Sequence, residues 1–260
     1  MKKIAVLLLI ACLPISLTFG QEANKMLNNG LGFLNTPYVA HTLEVNDTEE
    51  LVVNCDEVDC TTFVEYVLAM SLCPEQGDNM LESDFANNLQ SIRYRNGEIN
   101  GYTSRLHYTT DWIGDNIRMG IIEDVTAAKS PETITVSVSY MSANPDKYKH
   151  LKDSPENVAA MAGYEKQLSG KKVHWLPKGK IPVEGLSWIK NGDIIALVTN
   201  TPGLDISHLG LAVYIKGNLH LLHASSKEKK VVVERLALKE QLASSKNVTG
   251  IRVLRMIEPK

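Results

Sequence analysis

Asp59-Cys60-Thr61-Thr62-Phe63-Val64-Glu65-Tyr66-Val67-Leu68-Ala69-Met70 opens on a cysteine and continues as an apolar helix. Phe63, Val67 and Met70 recur at helical spacing with Val64 and Leu68 beside them, and Cys73-Pro74 stops the run after Leu72. Cys60 therefore falls in the first turn, where unpaired backbone amides and the helix dipole favour the thiolate, the form that attacks a carbonyl carbon. The position suits a nucleophile, although a small buried cysteine is the commoner occupant of such a place. What the rest of the chain brings to Cys60 decides between the two.

Upstream, residues 24–45 mix turn formers with apolar residues and read as a loop leading into a short strand. Leu51-Val52-Val53 reads as a second β run, and Asn54 to Val58 as the turn into the helix. Downstream, Asp78 to Leu89 is a helix candidate with Met80, Leu81, Phe85 and Leu89 on its apolar face. Ile134 to Tyr140 alternates in the β manner, Asn157 to Leu168 is helical, and Lys171 to Lys180 with Pro177 reads as a surface loop.

The last third is β: Gly192 to Val198, His208 to Ile215, Leu219 to Ala224, Lys230 to Glu234, and a closing strand from Ile251 to Met256. Lys216-Gly217-Asn218 is a tight hairpin signal, so the second and third of these strands pair antiparallel. His208 begins one arm and His223 ends the other, which brings the two imidazoles to the same end of the sheet. A thiol, an imidazole to carry its proton and a third group to orient that imidazole make the set that a cysteine amidase or protease requires. The bland alternative is a pair of ordinary strand-end histidines. His41, His107, His150, His174 and His220 are read as surface or loop residues rather than ligands.

Ser104-Arg105-Leu106-His107-Tyr108-Thr109-Thr110-Asp111-Trp112 concentrates a guanidinium, an imidazole, a carboxylate and two aromatics in nine positions. Such a set can grip a polar ligand with charged and flat apolar faces, as sugars and peptides have. The competing reading is a solvated loop with Trp112 tucked into the core.

With 260 residues, 44% of them hydrophobic and 22% charged, the chain has an ordinary globular composition and room for one large domain or two small ones. Lys2 and Lys3, the apolar run Ile4 to Ile10 and small or neutral residues to Gly20 fit a secretory signal, which implies export to the periplasm or cell surface. Leu9-Ile10-Ala11-Cys12 resembles a lipobox, but simple cleavage near Gly20 is favoured over a lipid anchor at Cys12. No other stretch is long and apolar enough to span a membrane. Removing Lys2 and Lys3 leaves 25 basic against 30 acidic residues, a net charge of −5 that argues weakly against a nucleic-acid partner. Cys55, Cys60 and Cys73 remain, an odd number that implies a free thiol unless a partner chain supplies a fourth. A helix from Cys60 to Leu72 spans about 18 Å, so a Cys55–Cys73 bridge would require Cys55 to return along it, and both are expected unpaired.

Asp59-Cys60, His208-Leu209-Gly210 and His223-Ala224-Ser225 resemble the signature of the NlpC-type cell-wall hydrolases, a papain-like family with a cysteine on a helix and histidines on an antiparallel sheet. Thr36-Pro37-Tyr38-Val39-Ala40, Asp59 to Glu65, Ser104 to Tyr108 with Asp111-Trp112, and Gly203 to Gly210 are similar to one branch, the N-acetylmuramoyl-L-alanine amidase-like domains common in Bacteroidetes. The resemblance implies an α+β fold, a nucleophile helix packed on an antiparallel sheet, in one catalytic domain over residues 21–260. Residues 75–190 would be a helical and loop elaboration that forms part of the substrate groove. It implies hydrolysis of the amide between N-acetylmuramic acid and L-alanine in peptidoglycan or its fragments, the muropeptides. Cys60 would be the nucleophile, His208 the base and acid, His223 the residue that orients it, and no cofactor would be needed. Tyr38, Arg105, His107, Tyr108, Asp111 and Trp112 are the expected substrate contacts.

One departure bears on substrate. The wider family has serine and glycine after its cysteine where this chain has Thr61 and Thr62, which weakens the alternative of a γ-D-glutamyl-diaminopimelate endopeptidase. Two further readings stay open: Cys60, His208 and His223 as ligands of a zinc ion, and a non-catalytic muropeptide-binding protein.

Overall fold

The computed structural model describes residues 24–74 and 82–259. The expected signal, Cys12, the cleavage point near Gly20, and Met80 and Leu81 lie outside the described residues.

Among the described residues, four α-helices come before the first strand: α1 (Lys25–Gly32), α2 (Cys60–Ser71), α3 (Glu82–Arg93) and α4 (Thr109–Arg118). A middle stretch of short elements follows: β1 (Ile122–Asp124), α5 (Val125–Lys129), β2 (Thr133–Thr135), α6 (Tyr140–Ala143), α7 (Lys149–Lys152), α8 (Pro155–Leu168), β3 (Lys172–His174) and β4 (Leu176–Pro177). The chain ends in β5 (Ile194–Thr199), β6 (Ile206–Ile215), β7 (Asn218–Ser225), β8 (Lys230–Val233), α9 (Leu238–Ser244) and β9 (Val248–Met256).

The expected C-terminal strands are all present and build one antiparallel sheet in the order β1-β9-β5-β6-β7-β8, with β4 also paired to β9. Helices packed on a sheet of antiparallel strands make the α+β class. The β6–β7 hairpin closes through Lys216 and Gly217 at φ 50° and 85°, with Ile215 paired to Asn218. Two successive positive φ values give the turn a twist that matches the strands it joins.

Side chains alternate across this sheet, and each face has its own core. Ala196, Leu211, Val213, Leu222 and Leu254 pack against Phe63, Val64, Val67 and Leu68 of α2 and Leu89 and Ile92 of α3. Ile195, Ala212, Tyr214, Leu221 and Val253 point the other way, onto Leu238 and Leu242 of α9. Because α2 is enclosed by the sheet, α1 and α3, it is buried on every side, and even Glu65 lies inside, 2.7 Å from the Arg93 guanidinium. The middle stretch has a third core, in which Val136, Val138, Met141, Leu151, Met161 and Leu168 meet Tyr102 and Tyr108.

Several local readings are corrected. Residues 25–32 form a helix capped by the Asn24 side chain, not a loop. Leu51-Val52-Val53 joins no strand, and the Val52 carbonyl accepts from Arg93 Nη1 at 2.6 Å instead. Residues 171–180 contain β3 and β4 rather than a plain loop, and the β reading of 134–140 holds only as far as Thr135 before Tyr140 starts α6. The helix expected over Asp78 to Leu89 runs through Arg93, four residues past Leu89. His220 is buried in β7, its Nδ1 3.0 Å from the Glu234 carbonyl, and is no surface residue.

Candidate active site

Asp59 is the N-cap of α2: its Oδ1 accepts from the N–H groups of Thr61 and Thr62 at 2.9 and 2.8 Å, and Asp59 N–H donates back to Thr62 Oγ1 at 2.9 Å. This reciprocal pair fixes the first turn and with it Cys60. The sulfur receives hydrogen bonds from the N–H of Leu209 in β6, from its own N–H and from the Thr61 hydroxyl. Leu209 directly follows His208, so the contact that seats the thiol on the sheet also brings it to the histidine strand.

The helix start does not, however, yield a thiolate. Burial, and then the negative charge of Asp59, push the thiol up to about 11, outweighing those three hydrogen bonds. Cys60 at rest is a neutral thiol, and to act as a nucleophile it would need a base to take its proton. Cys55 and Cys73 are also free thiols, as expected.

Two imidazoles stand on the strands beside Leu209. The β6–β7 register pairs Leu211 with Leu222, so His208, three residues before Leu211, and His223, one residue after Leu222, share a sheet face near one end. His208 Nε2 and His223 Nδ1 are 2.6 Å apart, with the rings edge to face. This hydrogen bond engages one nitrogen of His208 and leaves Nδ1 for other chemistry. Burial, then the neighbouring His223, push His208 down to about 3, so it is a neutral imidazole at any physiological pH. His223, 4% exposed, is also held below the ordinary imidazole range by burial, while Glu234 opposes the shift. A cavity of about 300 Å³ lies against the pair, lined by Ser225, Lys227, Glu234 and Gln241 among others.

Tyr38 reaches the same place by a different route. Its strand-like segment is held by Val58 N–H on the Pro37 carbonyl at 3.0 Å and by Tyr38 N–H on the Lys229 carbonyl at 2.9 Å, between the residue before Asp59 and the start of β8. Its phenol is raised by burial and then by the charges of Cys60 and Asp59. It is only partly buried.

The other expected substrate contacts are not brought to this place with free side chains. Arg105 is buried between Glu44 and Glu49, at 2.7 and 3.2 Å. His107 packs at a tilt against the Tyr102 ring, 4.4 Å between centroids, and its Nε2 lies 3.0 Å from the Tyr102 carbonyl. The Tyr108 hydroxyl donates to Glu165 at 2.6 Å and accepts from Met141 N–H, Asp111 pairs with Arg95 at 2.6 Å, and Trp112 is 2% exposed in the core beneath α2. Their segment is joined instead to the loop that leads into β6. The N–H of Thr110 donates to Asp205 at 2.6 Å, and Asp205 lies three residues before His208. A cavity of about 190 Å³ opens at this loop, lined by Thr135, Ser137, Asn200, Thr201, Asp205 and Arg252 among others. Gly203, at φ 79°, closes its far side by giving its carbonyl to the N–H groups of Ser139 and Tyr140.

Zinc fits this arrangement poorly. Ligand atoms about 2.0–2.1 Å from a tetrahedral ion sit about 3.3 Å from each other, wider than the spacing of His208 Nε2 and His223 Nδ1. Among the described residues, no group of three His, Cys, Asp or Glu side chains is placed to hold a metal ion.

The sequence model of the AmiA-like family, described as N-acetylmuramoyl-L-alanine amidase-like, matches residues 28–251. The chain belongs to this family. No curated protein matches it. Among solved structures, a Bacteroides uniformis protein described as an N-acetylmuramoyl-L-alanine amidase shares 59% identity with a TM-score of 0.89, over 90% of this chain and 99% of that one. A Bacteroides fragilis protein provisionally named a xylanase shares 69% identity with a TM-score of 0.87, over 88% of this chain and all of that one. Legionella pneumophila LPG0564, at 24% identity and a TM-score of 0.70 over 90% of this chain and 89% of that one, shows likeness of fold alone.

The two names imply different chemistry. A glycosidase places two carboxyl groups about the bond it cuts. Of the carboxylates beside this thiol and histidine pair, Asp59 caps α2 and Glu234 is turned to His223. The site favours acyl transfer. Asp205, Glu234 and the Leu209 N–H escaped sequence reasoning, since their roles come from pairings that local spacing does not reveal.

Proposed function

We propose that this chain is an exported cysteine amidase that hydrolyses the bond between N-acetylmuramic acid and L-alanine in peptidoglycan fragments. The observation that carries the reading is a thiol hydrogen-bonded to Leu209 N–H, on the strand whose preceding residue, His208, is hydrogen-bonded to His223. Family membership and the name of the Bacteroides uniformis relative support the choice of bond. A papain-like, NlpC-type assignment agrees with a nucleophile helix laid on an antiparallel sheet, and residues 21–260 act as one catalytic unit.

The steps balance without a cofactor. His208 Nδ1 takes the Cys60 proton as sulfur attacks the lactyl carbonyl, and the oxyanion receives a hydrogen bond from Tyr38 or the Cys60 N–H. His208 returns the proton to the departing L-alanine nitrogen, leaving a thioester. Water, deprotonated by His208, then releases the lactyl carboxylate and the free thiol. The cavity at Asn200–Asp205 receives part of the substrate, while Arg105, His107, Tyr108, Asp111 and Trp112 set the shape of the wall by holding the segments around it.

The test is mass spectrometry of purified muropeptides after incubation with the enzyme and with the Cys60→Ser variant. Peptide beginning with L-alanine plus an intact lactyl carboxylate is expected from the wild type only, with chelators having no effect. Products that keep L-alanine and D-glutamate on the sugar would make it an endopeptidase. Binding without turnover would make it a binding module.

A further inference from the structure

His223 donates or accepts at Nδ1, but its Nε2 is buried and has no hydrogen-bond partner. The nearest acidic atom is Glu234 Oε2, at 3.9 Å, on the residue that follows β8. Glu234 is not loosely placed. Its N–H donates to the Leu221 carbonyl at 2.8 Å, its own carbonyl meets His220 Nδ1 at 3.0 Å, and its Oε1 accepts from Arg235 N–H at 2.9 Å and Leu236 N–H at 3.4 Å. One carboxylate oxygen is thereby tied to the turn and the other faces His223. Lys227 lines the same cavity wall.

We infer that Glu234 is a positioning residue of the catalytic machinery, setting the proton on His223 and through it the tautomer of His208. The inference rests on the cysteine amidase reading above. A carboxylate accepts and does not donate, so it favours the His223 tautomer with its proton on Nε2. His223 Nδ1 is then an acceptor and holds the His208 proton on Nε2. His208 Nδ1 is left with its lone pair, as a base for the thiol requires. When His208 takes the Cys60 proton, the new positive charge is shared through His223 toward Glu234. The chain Cys60, His208, His223, Glu234 thus passes hydrogen bonds in one direction, and the last carboxylate determines that direction.

Glu234→Gln tests this with the turn preserved. Gln keeps an oxygen for Arg235 and Leu236 but presents an NH₂ to His223, which favours the opposite tautomer and places a proton on His208 Nδ1. The expected result is a fall in kcat of about 100-fold or more with KM changed little, as for a triad locked in its wrong tautomer. Glu234→Asp should recover part of the loss. ¹⁵N NMR of the full-length protein should show the His223 ring changing from the Nε2-protonated to the Nδ1-protonated form in Glu234→Gln, with unchanged thermal midpoint. Turnover within two-fold of wild type, or a His223 tautomer unmoved by the substitution, would overturn the inference. If wild type itself cuts no muropeptide, the NMR comparison still decides the role of Glu234 independently of the amidase reading.

Discussion

Asp59 is asked to do two opposed things, and paired substitutions separate them. Its carboxylate caps α2, accepting two backbone N–H groups, and its charge adds to burial in keeping Cys60 protonated. Asp59→Ala removes cap and charge together; loss of such a cap costs about 1 kcal/mol, up to about 2. For a domain of this size each kcal/mol corresponds to about 2–4 °C in thermal midpoint, so a fall of about 2–8 °C is expected. Asp59→Asn keeps an acceptor for the same two N–H groups and forfeits only the charge–dipole interaction, about 0.3–1 kcal/mol. Stability should therefore rank wild type, Asn, Ala. Thiol acidity should rank differently, because both variants lose the charge: the midpoint of Cys60 alkylation by iodoacetamide, followed against pH by peptide mass spectrometry, should fall from about 11 in both. Labelling must be read at Cys60 itself, since Cys55 and Cys73 are also free. An unmoved midpoint in Asp59→Asn, or Asn as destabilising as Ala, would refute the division of roles.

Two further outcomes follow from buried charges. Glu65→Ala leaves Arg93, 1% exposed at its side chain, without its carboxylate partner and should cost about 3–5 kcal/mol in urea unfolding, whereas Glu65→Leu with Arg93→Met should come close to wild type; a single variant as mild as the double would count against the pair. His107 and His208 are both pushed down to about 3 by burial, so between pH 6.5 and 5 the unfolded chain binds protons that the native one refuses. Stability should decline as pH falls through that window by up to about 1.4 kcal/mol per pH unit for each, and His107→Gln should lessen the slope; stability rising toward pH 5 would contradict the shifts.

The parts of the fold legible from sequence are those whose signal is local. An apolar run buried on all sides can be read as α2 without its neighbours, and Lys216-Gly217-Asn218 fixes the register that carries His208 and His223 to one face. α1 shows the opposite case. Asn28-Asn29-Gly30 has the composition of a turn, yet Gly30 packs where a Cβ would come within 2.7 Å of Leu211 and 3.0 Å of Leu222, and Asn29 donates to Ser71 Oγ at 2.9 Å. The glycine there serves close approach to the sheet and the asparagine a distant helix. Propensity was overridden by contacts between residues far apart in the chain.

The same reasoning explains why Arg105 to Trp112 looked like a ligand grip. Density of charge and aromatic surface in nine positions is equally what a buried polar junction requires, and the two differ only in where the partners come from. Here they come from the chain itself: Glu44 and Glu49 for Arg105, Glu165 for Tyr108, Arg95 for Asp111. Once these charges are paired internally, the segment has few groups left to offer a substrate, but it is tied at several points to the rest of the chain. The N–H of Thr110 holds Asp205 at 2.6 Å, three residues before His208, and under the proposed mechanism that histidine must be placed accurately against the thiol. Under the proposed function the cluster would serve through geometry rather than contact. A substitution such as Arg105→Ala is expected to lower kcat/KM by loosening the wall while also lowering stability, so the two effects must be measured together; loss of activity at unchanged thermal midpoint would instead return Arg105 to the substrate.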